Sequence, residues 1–222
     1  MVIIDVAKHH HRHGAPHHRL STILLASTAT FLFGYFLLEK KLLPRAWWRT
    51  ISRLYFFPLM VPNMLLRVAS GRPYFSDVDG GVMLGAVPMV IAGQIEALHR
   101  DGVRGVINMQ AEYAGPIGAY AVLHPPIEQL HIPVTDHTEP SVMNLETAVK
   151  FIQAHRSRGE RVLVHCKGGH GRSAAVAMAW LITNEGLSPD AAQRRLSSVR
   201  HVRTTLYRQP EILEYYARHK QG

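Results

Sequence analysis

The sequence predicts an α/β fold, with a mostly parallel central sheet flanked by helices and an N-terminal hydrophobic helix. Along residues 71–222, short β-branched runs alternate with segments of helical apolar spacing, which is typical of a parallel sheet covered by helices. Residues 162–174 pass from such a run through three glycines directly into a helix-forming segment. Residues 20–38 contain no charged side chain and are long enough for an apolar helix that spans a bilayer.

Local patterns predict the elements in order. Strands are expected in short apolar segments at 82–84, 103–109, 129–134 and 161–165. Helices are expected at 90–100, 141–152, 173–182, 188–198 and 210–218, with Ser141 and Ser188 as N-caps and Pro210 in a first turn. Residues 110–126 are rich in Gly and Pro and are predicted to form a long loop near the site. Ligands of such sheets bind beyond the carboxyl ends of the strands, where Cys166 falls.

The N-terminal part of the chain is expected to contact a membrane. Residues 1–70 carry a net charge of +7 and residues 71–222 only +2, so the basic excess flanks apolar sequence, and no motif for reading nucleic-acid bases accompanies it. The expected segments are a His-rich basic tail at 1–19, a transmembrane anchor at 20–38, an interfacial linker at 39–70 and a catalytic domain at 71–222.

Alternatives exist for each N-terminal segment. The His-rich tail could bind a metal ion weakly or be a solvated tail. The apolar run at 20–38 could be a buried helix or a cleaved targeting segment. Residues 54–66 are apolar but short and contain Pro58 and Pro62, so they could lie in a membrane interface or pack on the catalytic domain.

The loop at 162–174 has the composition of a phosphate-binding site around a nucleophile. Cys166 is the only cysteine of the chain and follows a strand, while Arg172 opens the next helix. A thiolate there could attack phosphorus and form a phosphocysteine, and a guanidinium could clamp two phosphate oxygens. The other loop residues are expected to help in binding: the backbone N–H groups of Gly168, Gly169 and Gly171 would face the phosphate, and Ser173 would donate to the sulfur.

The leaving group needs a proton, and Asp136 is the best candidate for a general acid because it follows a predicted strand. Glu139 and His137 are its rivals, and Asp136 could instead only cap the turn before Ser141. Lys167 and a charged His170 would make the floor of the loop cationic, although Lys167 could face solvent. This chemistry needs no cofactor and no metal ion.

The segment HCKGGHGRS resembles the signature loop of the protein tyrosine phosphatase superfamily, in its compact dual-specificity branch. Within that branch, the chain resembles the mitochondrial phosphatidylglycerophosphate phosphatase subfamily, through LYFFP, GVMLGAVP, VRGVINMQAEY, PVTDHTEPS and VRHVRTTLYRQPEIL. The resemblance implies Cys166 as nucleophile, Arg172 as phosphate ligand and Asp136 as general acid. It also implies that Glu112 and Tyr113 belong to a loop that shapes substrate access. The subfamily usually has further acids around this Tyr, where this chain has Ala111 and Ala114.

The leading hypothesis is a monomeric, membrane-anchored phosphatase that removes phosphate from a lipid head group, phosphatidylglycerophosphate. The resemblance implies the mitochondrial inner membrane as its location. The alternative enzyme is a dual-specificity protein phosphatase that acts on phosphotyrosine and phosphoserine or phosphothreonine of a phosphoprotein. The third hypothesis is a catalytically inactive phosphate-binding protein. Nucleic acid is not expected as a partner.

Overall fold

Helices and strands of this computed structural model are described for residues 16–40 and 42–220. The chain divides into two units, Met1–Leu43 and Pro44–Gly222. The first unit contains helix α1, Pro16–Glu39. No helix among the described residues is long and apolar enough to cross a membrane, so the predicted transmembrane anchor at 20–38 has no support. Most of the predicted His-rich tail at 1–19 lies outside the described residues.

The second unit is built on a five-stranded sheet. The strands are β1 Phe75–Asp77, β2 Val82–Gly85, β3 Val103–Asn108, β4 Glu128–His131 and β5 Arg161–His165. They lie in the order β1-β2-β5-β3-β4, and only β1 pairs in antiparallel fashion. The mostly parallel sheet is therefore confirmed. The short edge strand β1 was not predicted, because its three residues, Phe75, Ser76 and Asp77, have no apolar pattern.

Helices cover both faces of this sheet. They are α2 Arg45–Ala69, α3 Gln94–Arg100, α4 Ile117–Ala121, α5 Val142–Arg156, α6 Arg172–Glu185, α7 Pro189–Val199 and α8 Pro210–His219, with 3-10 turns at Val90–Ala92 and Leu206–Arg208. Successive β5 side chains point to opposite faces. Val162 and Val164 pack in a core with α5 to α8, and Leu163 packs in a second core with α3 and α4.

Most predicted helices are confirmed within a few residues. Ser141 and Ser188 are N-caps, since their hydroxyls accept from the backbone N–H of Asn144 and Ala191. The single helix predicted at 90–100 is instead interrupted at Gly93, which has a positive φ of 63°.

Helix α2 is the main departure from the prediction. It continues for 25 residues through Pro58 and Pro62, which were expected to cut the segment. Each proline lacks the N–H that would donate to a carbonyl one turn earlier in the helix. Both prolines are exposed, so water can bind these carbonyl groups instead. One side of α2 is buried, with Trp48, Tyr55 and Phe56 at most 7% exposed. Helix α2 therefore packs on the rest of the second unit, in line with one of the two alternatives for residues 54–66.

Candidate active site

The signature loop connects β5 to α6 at the carboxyl end of the sheet. Gly169 has a φ of +74°, and a Cβ atom there would lie 2.5 Å from the carbonyl oxygen of Gly85, so the position requires glycine. This turn directs the Gly169 N–H to the sulfur of Cys166, at 3.3 Å. The predicted hydrogen bond from Ser173 is also present, with Oγ 3.2 Å from Sγ. Gly171 precedes α6 as its N-cap.

The Cys166 thiol is buried, with 3% of the residue exposed. Burial alone raises its pKa, but the Arg172 guanidinium and the hydrogen bond from Ser173 outweigh burial, and the pKa lies below its ordinary value. His165 contributes no positive charge, because complete burial lowers its pKa to about 3. Neither of its ring nitrogens has a hydrogen-bond partner among the described residues.

Arg172 lies behind the loop and is 4% exposed. Its Nη1 donates to both carboxylate oxygens of Glu112, at 3.0 and 2.8 Å, and to the carbonyl of Val134, at 2.8 Å. Its Nη2 donates to Oδ1 of Asp136 at 2.8 Å. Burial by itself would lower the pKa of Arg172, but Asp136, Cys166 and Glu112 raise it above its ordinary value, so the guanidinium is fixed in charge and position.

Asp136 follows β4 on the segment that leads to α5, as the sequence predicted. Burial alone raises its pKa, but Arg172, His137 and Lys167 together lower the pKa by more than burial raises it, so the net pKa lies below the ordinary value. Lys167 Nζ lies 3.7 Å from Oδ2 of Asp136, so Lys167 faces this carboxylate rather than open solvent. Its rival Glu139 pairs with Arg203 at 3.0 Å instead.

Glu112 is placed differently from the expectation. Its side chain is only 1% exposed and both its oxygens bind Arg172. Oε1 also accepts from the backbone N–H of Asp136, at 2.7 Å. Glu112 was predicted to belong to a loop that shapes substrate access; the structure places its carboxylate against Arg172 and the Asp136 backbone, and a role toward substrate stays a prediction. The signal available in the sequence was an acid at the start of a loop after a buried strand, which does not specify its partner.

Tyr113 lies next to Glu112 but its ring turns toward α2. It stacks on Phe56 with 5.5 Å between ring centroids and meets Phe57 edge-on at 6.2 Å. Arg53 of α2 also donates to the carbonyl of Ala111, at 3.2 Å. The predicted access loop is therefore fixed by α2 at three points.

His170 does not make the loop cationic, contrary to the prediction. Burial lowers its pKa to about 4, so the ring is neutral at pH 7. Its Nδ1 lies 2.5 Å from the carbonyl of His201 and its Nε2 lies 3.1 Å from Nη2 of Arg67. A neutral ring that donates from Nδ1 and accepts at Nε2 satisfies both contacts.

Two arginines that sequence reasoning missed hold the outer side of the loop. Arg67, from α2, donates to the carbonyl of Gly168 at 2.9 Å. Arg200 donates to the carbonyls of Gly168 and Gly169, at 3.1 and 3.0 Å. Carbonyl groups bound from outside leave the N–H groups of the same peptides free to point inward. Arg200 lies in a segment that the resemblance had marked, but Arg67 had no such signal.

The arrangement combines a thiol of lowered pKa, a fixed guanidinium and a carboxyl group on that guanidinium. A nucleophile, an anion clamp and a proton carrier at one strand end can hydrolyse a phosphate ester in two steps.

Comparison with known proteins agrees with this chemistry. Residues 89–216 match the dual specificity phosphatase, catalytic domain, family model. The chain is 31% identical over 163 residues to the human phosphatidylglycerophosphatase and protein-tyrosine phosphatase 1, with 69% of this chain and 81% of the relative covered. It is 30% identical to the Arabidopsis thaliana phosphatidylglycerophosphate phosphatase PTPMT2, with 67% and 65% covered.

Solved structures give the same result. The crystal structure of PTPMT1 in complex with PI(5)P has a TM-score of 0.59 and 25% identity, and the match covers 67% of this chain and 98% of that chain. The crystal structure of human DUSP28 has a TM-score of 0.54 and 28% identity, with 68% and 97% covered. The sheet, the cysteine loop and these matches together show that the chain belongs to the dual specificity phosphatase family and is a cysteine-dependent phosphatase, a hydrolase of phosphoric monoesters.

Proposed function

We propose that this phosphatase hydrolyses phosphatidylglycerophosphate at a membrane surface, with Cys166 as nucleophile, Arg172 as phosphate ligand and Asp136 as general acid. The observation that carries the assignment of roles is the hydrogen bond from Arg172 to Asp136, at 2.8 Å, next to a loop in which the Cys166 sulfur already accepts two hydrogen bonds. Lys167 adds a second cation beside Asp136.

In the first step, the Cys166 thiolate attacks phosphorus and forms a P–S bond. The ester P–O bond breaks, and the leaving alkoxide takes a proton from the carboxylic acid of Asp136. In the second step, Asp136 accepts a proton from water, whose oxygen attacks phosphorus. The P–S bond breaks, inorganic phosphate forms and the thiolate returns, stabilised by the Ser173 hydroxyl at 3.2 Å.

Asp136 must carry a proton when substrate is bound, although its pKa is lowered without substrate. The lowering comes from Arg172, His137 and Lys167 acting against burial. A bound phosphate dianion would take the Arg172 Nη2 donor from Asp136 and add negative charge beside it. Both changes raise the pKa of a carboxyl group, so substrate binding itself prepares the acid.

Several observations favour a lipid head group over a phosphoprotein. The Arabidopsis thaliana relative is named as a phosphatidylglycerophosphate phosphatase, the human relative as a phosphatidylglycerophosphatase and protein-tyrosine phosphatase, and a similar solved structure holds PI(5)P. The basic helix α2 lies beside the access loop. A dual-specificity protein phosphatase is the alternative, since the name of the human relative also includes protein-tyrosine phosphatase. The mitochondrial inner membrane and the monomeric state stay predictions.

The test compares phosphate release from vesicles with phosphatidylglycerophosphate, vesicles with phosphoinositides, and soluble phosphopeptides. We expect the first substrate to be preferred, and Cys166→Ser to release no phosphate from any of them. Faster turnover of phosphopeptides than of both lipids would favour the protein phosphatase instead.

The role of Asp136 has its own test. Asp136→Asn should slow hydrolysis of an alkyl phosphate by about a hundredfold or more, as general-acid loss does. The loss should shrink for p-nitrophenyl phosphate, whose leaving group needs little protonation. An equal loss of rate on both esters would show that another group donates the proton to the leaving group. The matched control is Glu139→Gln, which replaces the carboxyl group of the rival candidate.

A further inference from the structure

A stripe of apolar side chains runs along the exposed face of α2. Its members are separated by seven, three, four and four residues, so they share one side of the helix: Trp47, Leu54, Phe57, Val61 and Leu65. They are between 47% and 68% exposed, while Tyr55 and Phe56 on the other side are at most 6% exposed. Helix α2 is therefore apolar on two sides, one of them buried in this unit and the other largely exposed.

The positive charge of the segment that contains this stripe indicates which kind of surface it binds. Residues 44–76 contain no Asp or Glu and five basic residues, Arg45, Arg49, Arg53, Arg67 and Arg72. Arg45, Arg49 and Arg72 are exposed, while Arg53 and Arg67 also donate to loop carbonyls. An apolar face on a purely basic helix is complementary to an anionic lipid surface, where apolar side chains enter the acyl boundary and cations meet the head groups. A second copy of this chain would present the same positive charge and be repelled.

The stripe also borders the active site. Phe57, a member of the stripe, contacts the ring of Tyr113 at 6.2 Å. Tyr113 adjoins Glu112, which binds Arg172 at 2.8 Å. At the other end of α2, Arg67 binds the carbonyl of Gly168 in the signature loop. A surface that holds the stripe would thus lie next to the entrance of the site.

We propose that α2 docks the catalytic unit on an anionic lipid surface through this stripe, and so presents the cysteine loop to phosphorylated head groups. The choice of lipid rests on the proposed function as well as on the charge. Docking in this way lets a lipid substrate reach Cys166 without leaving the membrane. Changes in the stripe should therefore alter the turnover of membrane-bound substrate and leave the reaction of the Cys166 thiolate with soluble substrates unchanged.

The test uses the full chain, in which replacing the single cysteine leaves one introduced cysteine as the only labelling position. In a Cys166→Ser background, an environment-sensitive fluorophore is attached at Leu54→Cys or Val61→Cys. Matched controls are Ile91→Cys and Met143→Cys, apolar positions that are 89% and 71% exposed outside α2. Vesicles contain phosphatidylglycerol or only phosphatidylcholine, with a quencher in the acyl chains. Each label reports its own depth, whatever residues 1–43 do.

We expect labels at 54 and 61 to be quenched on phosphatidylglycerol vesicles, and labels at 91 and 143 to stay in water. Labels at 54 and 61 that stay in water on vesicle-bound protein would overturn the proposal. So would a spectral shift that depends on protein concentration without vesicles, since it would assign the stripe to a second copy of the chain.

An activity measurement separates this proposal from the proposed function. Leu54→Ser with Val61→Ser, in a chain that keeps Cys166, should lower turnover of a vesicle-borne phosphatidylglycerophosphate about tenfold or more, since two apolar contacts are lost. Turnover of p-nitrophenyl phosphate should not change. Unchanged turnover on vesicles would overturn the docking role. Quenched labels in a protein that cannot hydrolyse this lipid would sustain docking and reject the proposed substrate.

Discussion

Replacing Ser173 by alanine should raise the pKa of the Cys166 thiol by about one unit. The Ser173 hydroxyl donates to the sulfur at 3.2 Å, and both residues are buried. A hydrogen bond to a charged group contributes roughly 1.5–3 kcal/mol, and about 1.4 kcal/mol corresponds to one pKa unit. Sulfur is a weak acceptor and the Gly169 N–H remains at 3.3 Å, so the lower end of this range applies.

The single cysteine makes this shift directly measurable. Alkylation by iodoacetamide, followed by intact mass, reports on Cys166 alone, and its rate rises with pH as the thiol ionises. The midpoint of this rise should move upward by about one unit in Ser173→Ala. It should stay near the wild-type value in Ser173→Thr, which retains the hydroxyl. An unchanged midpoint in a folded Ser173→Ala protein would refute the argument that this hydroxyl stabilises the thiolate.

Two further substitutions test the supports of the site. Glu112→Ala leaves a buried guanidinium without the carboxylate whose two oxygens it binds, so the free energy of unfolding in denaturant should fall by about 3 kcal/mol and p-nitrophenyl phosphate turnover should be lost. Glu112→Gln should lose less of both stability and turnover. An unchanged unfolding midpoint in Glu112→Ala would show that the pair with Arg172 contributes nothing to stability. Arg67→Ala removes one of the two arginine donors to the Gly168 carbonyl, and kcat/KM for the same ester should fall about tenfold. The exposed neighbour variant Arg72→Ala should not change kcat/KM, and equal values for both variants would contradict a positioning role of Arg67.

The central loop could be predicted because its geometry follows from local sequence. A strand, a glycine at positive φ and a helix start lie within residues 162–174, and the sulfur contacts of Gly169 and Ser173 join residues at most seven positions apart. Asp136 was found from its place after a strand, since the carboxyl ends of parallel strands share one edge. The parallel direction of β2 to β5 followed from the alternation of strands and helices along the chain.

The long-range contacts could not be predicted. Glu112 and Arg172 are sixty positions apart, and Arg67 and Gly168 are 101 apart. The continuity of helix α2 was missed because its two prolines are strong local signals against a helix. Burial of one face outweighed those signals. The charge of His170 was misjudged for a similar reason, since burial between α2 and the segment at 201 decides it.

The charges at the site predict that a dianion enters together with a proton. Asp136 accepts from Nη2 of Arg172 at 2.8 Å, so a phosphate dianion that binds this guanidinium would displace the Asp136 carboxylate and place further negative charge beside it. Both changes raise the pKa of Asp136 and favour its protonated form. Asp136 is the group that can release its contact with Arg172, because its side chain is 20% exposed whereas that of Glu112 is 1% exposed.

Binding of a dianionic analogue, tungstate, should therefore take up about one proton near pH 7, which calorimetry in buffers of different ionisation enthalpy measures. The pKa of Asp136 lies below its ordinary value without ligand and should rise when the dianion binds, so uptake is expected only above the ligand-free pKa. Asp136→Asn should abolish the uptake, and Glu139→Gln should leave it intact. Proton uptake that persists in Asp136→Asn would show that another group binds this proton. That group, and not Asp136, would then be the candidate for the general acid that protonates the leaving group.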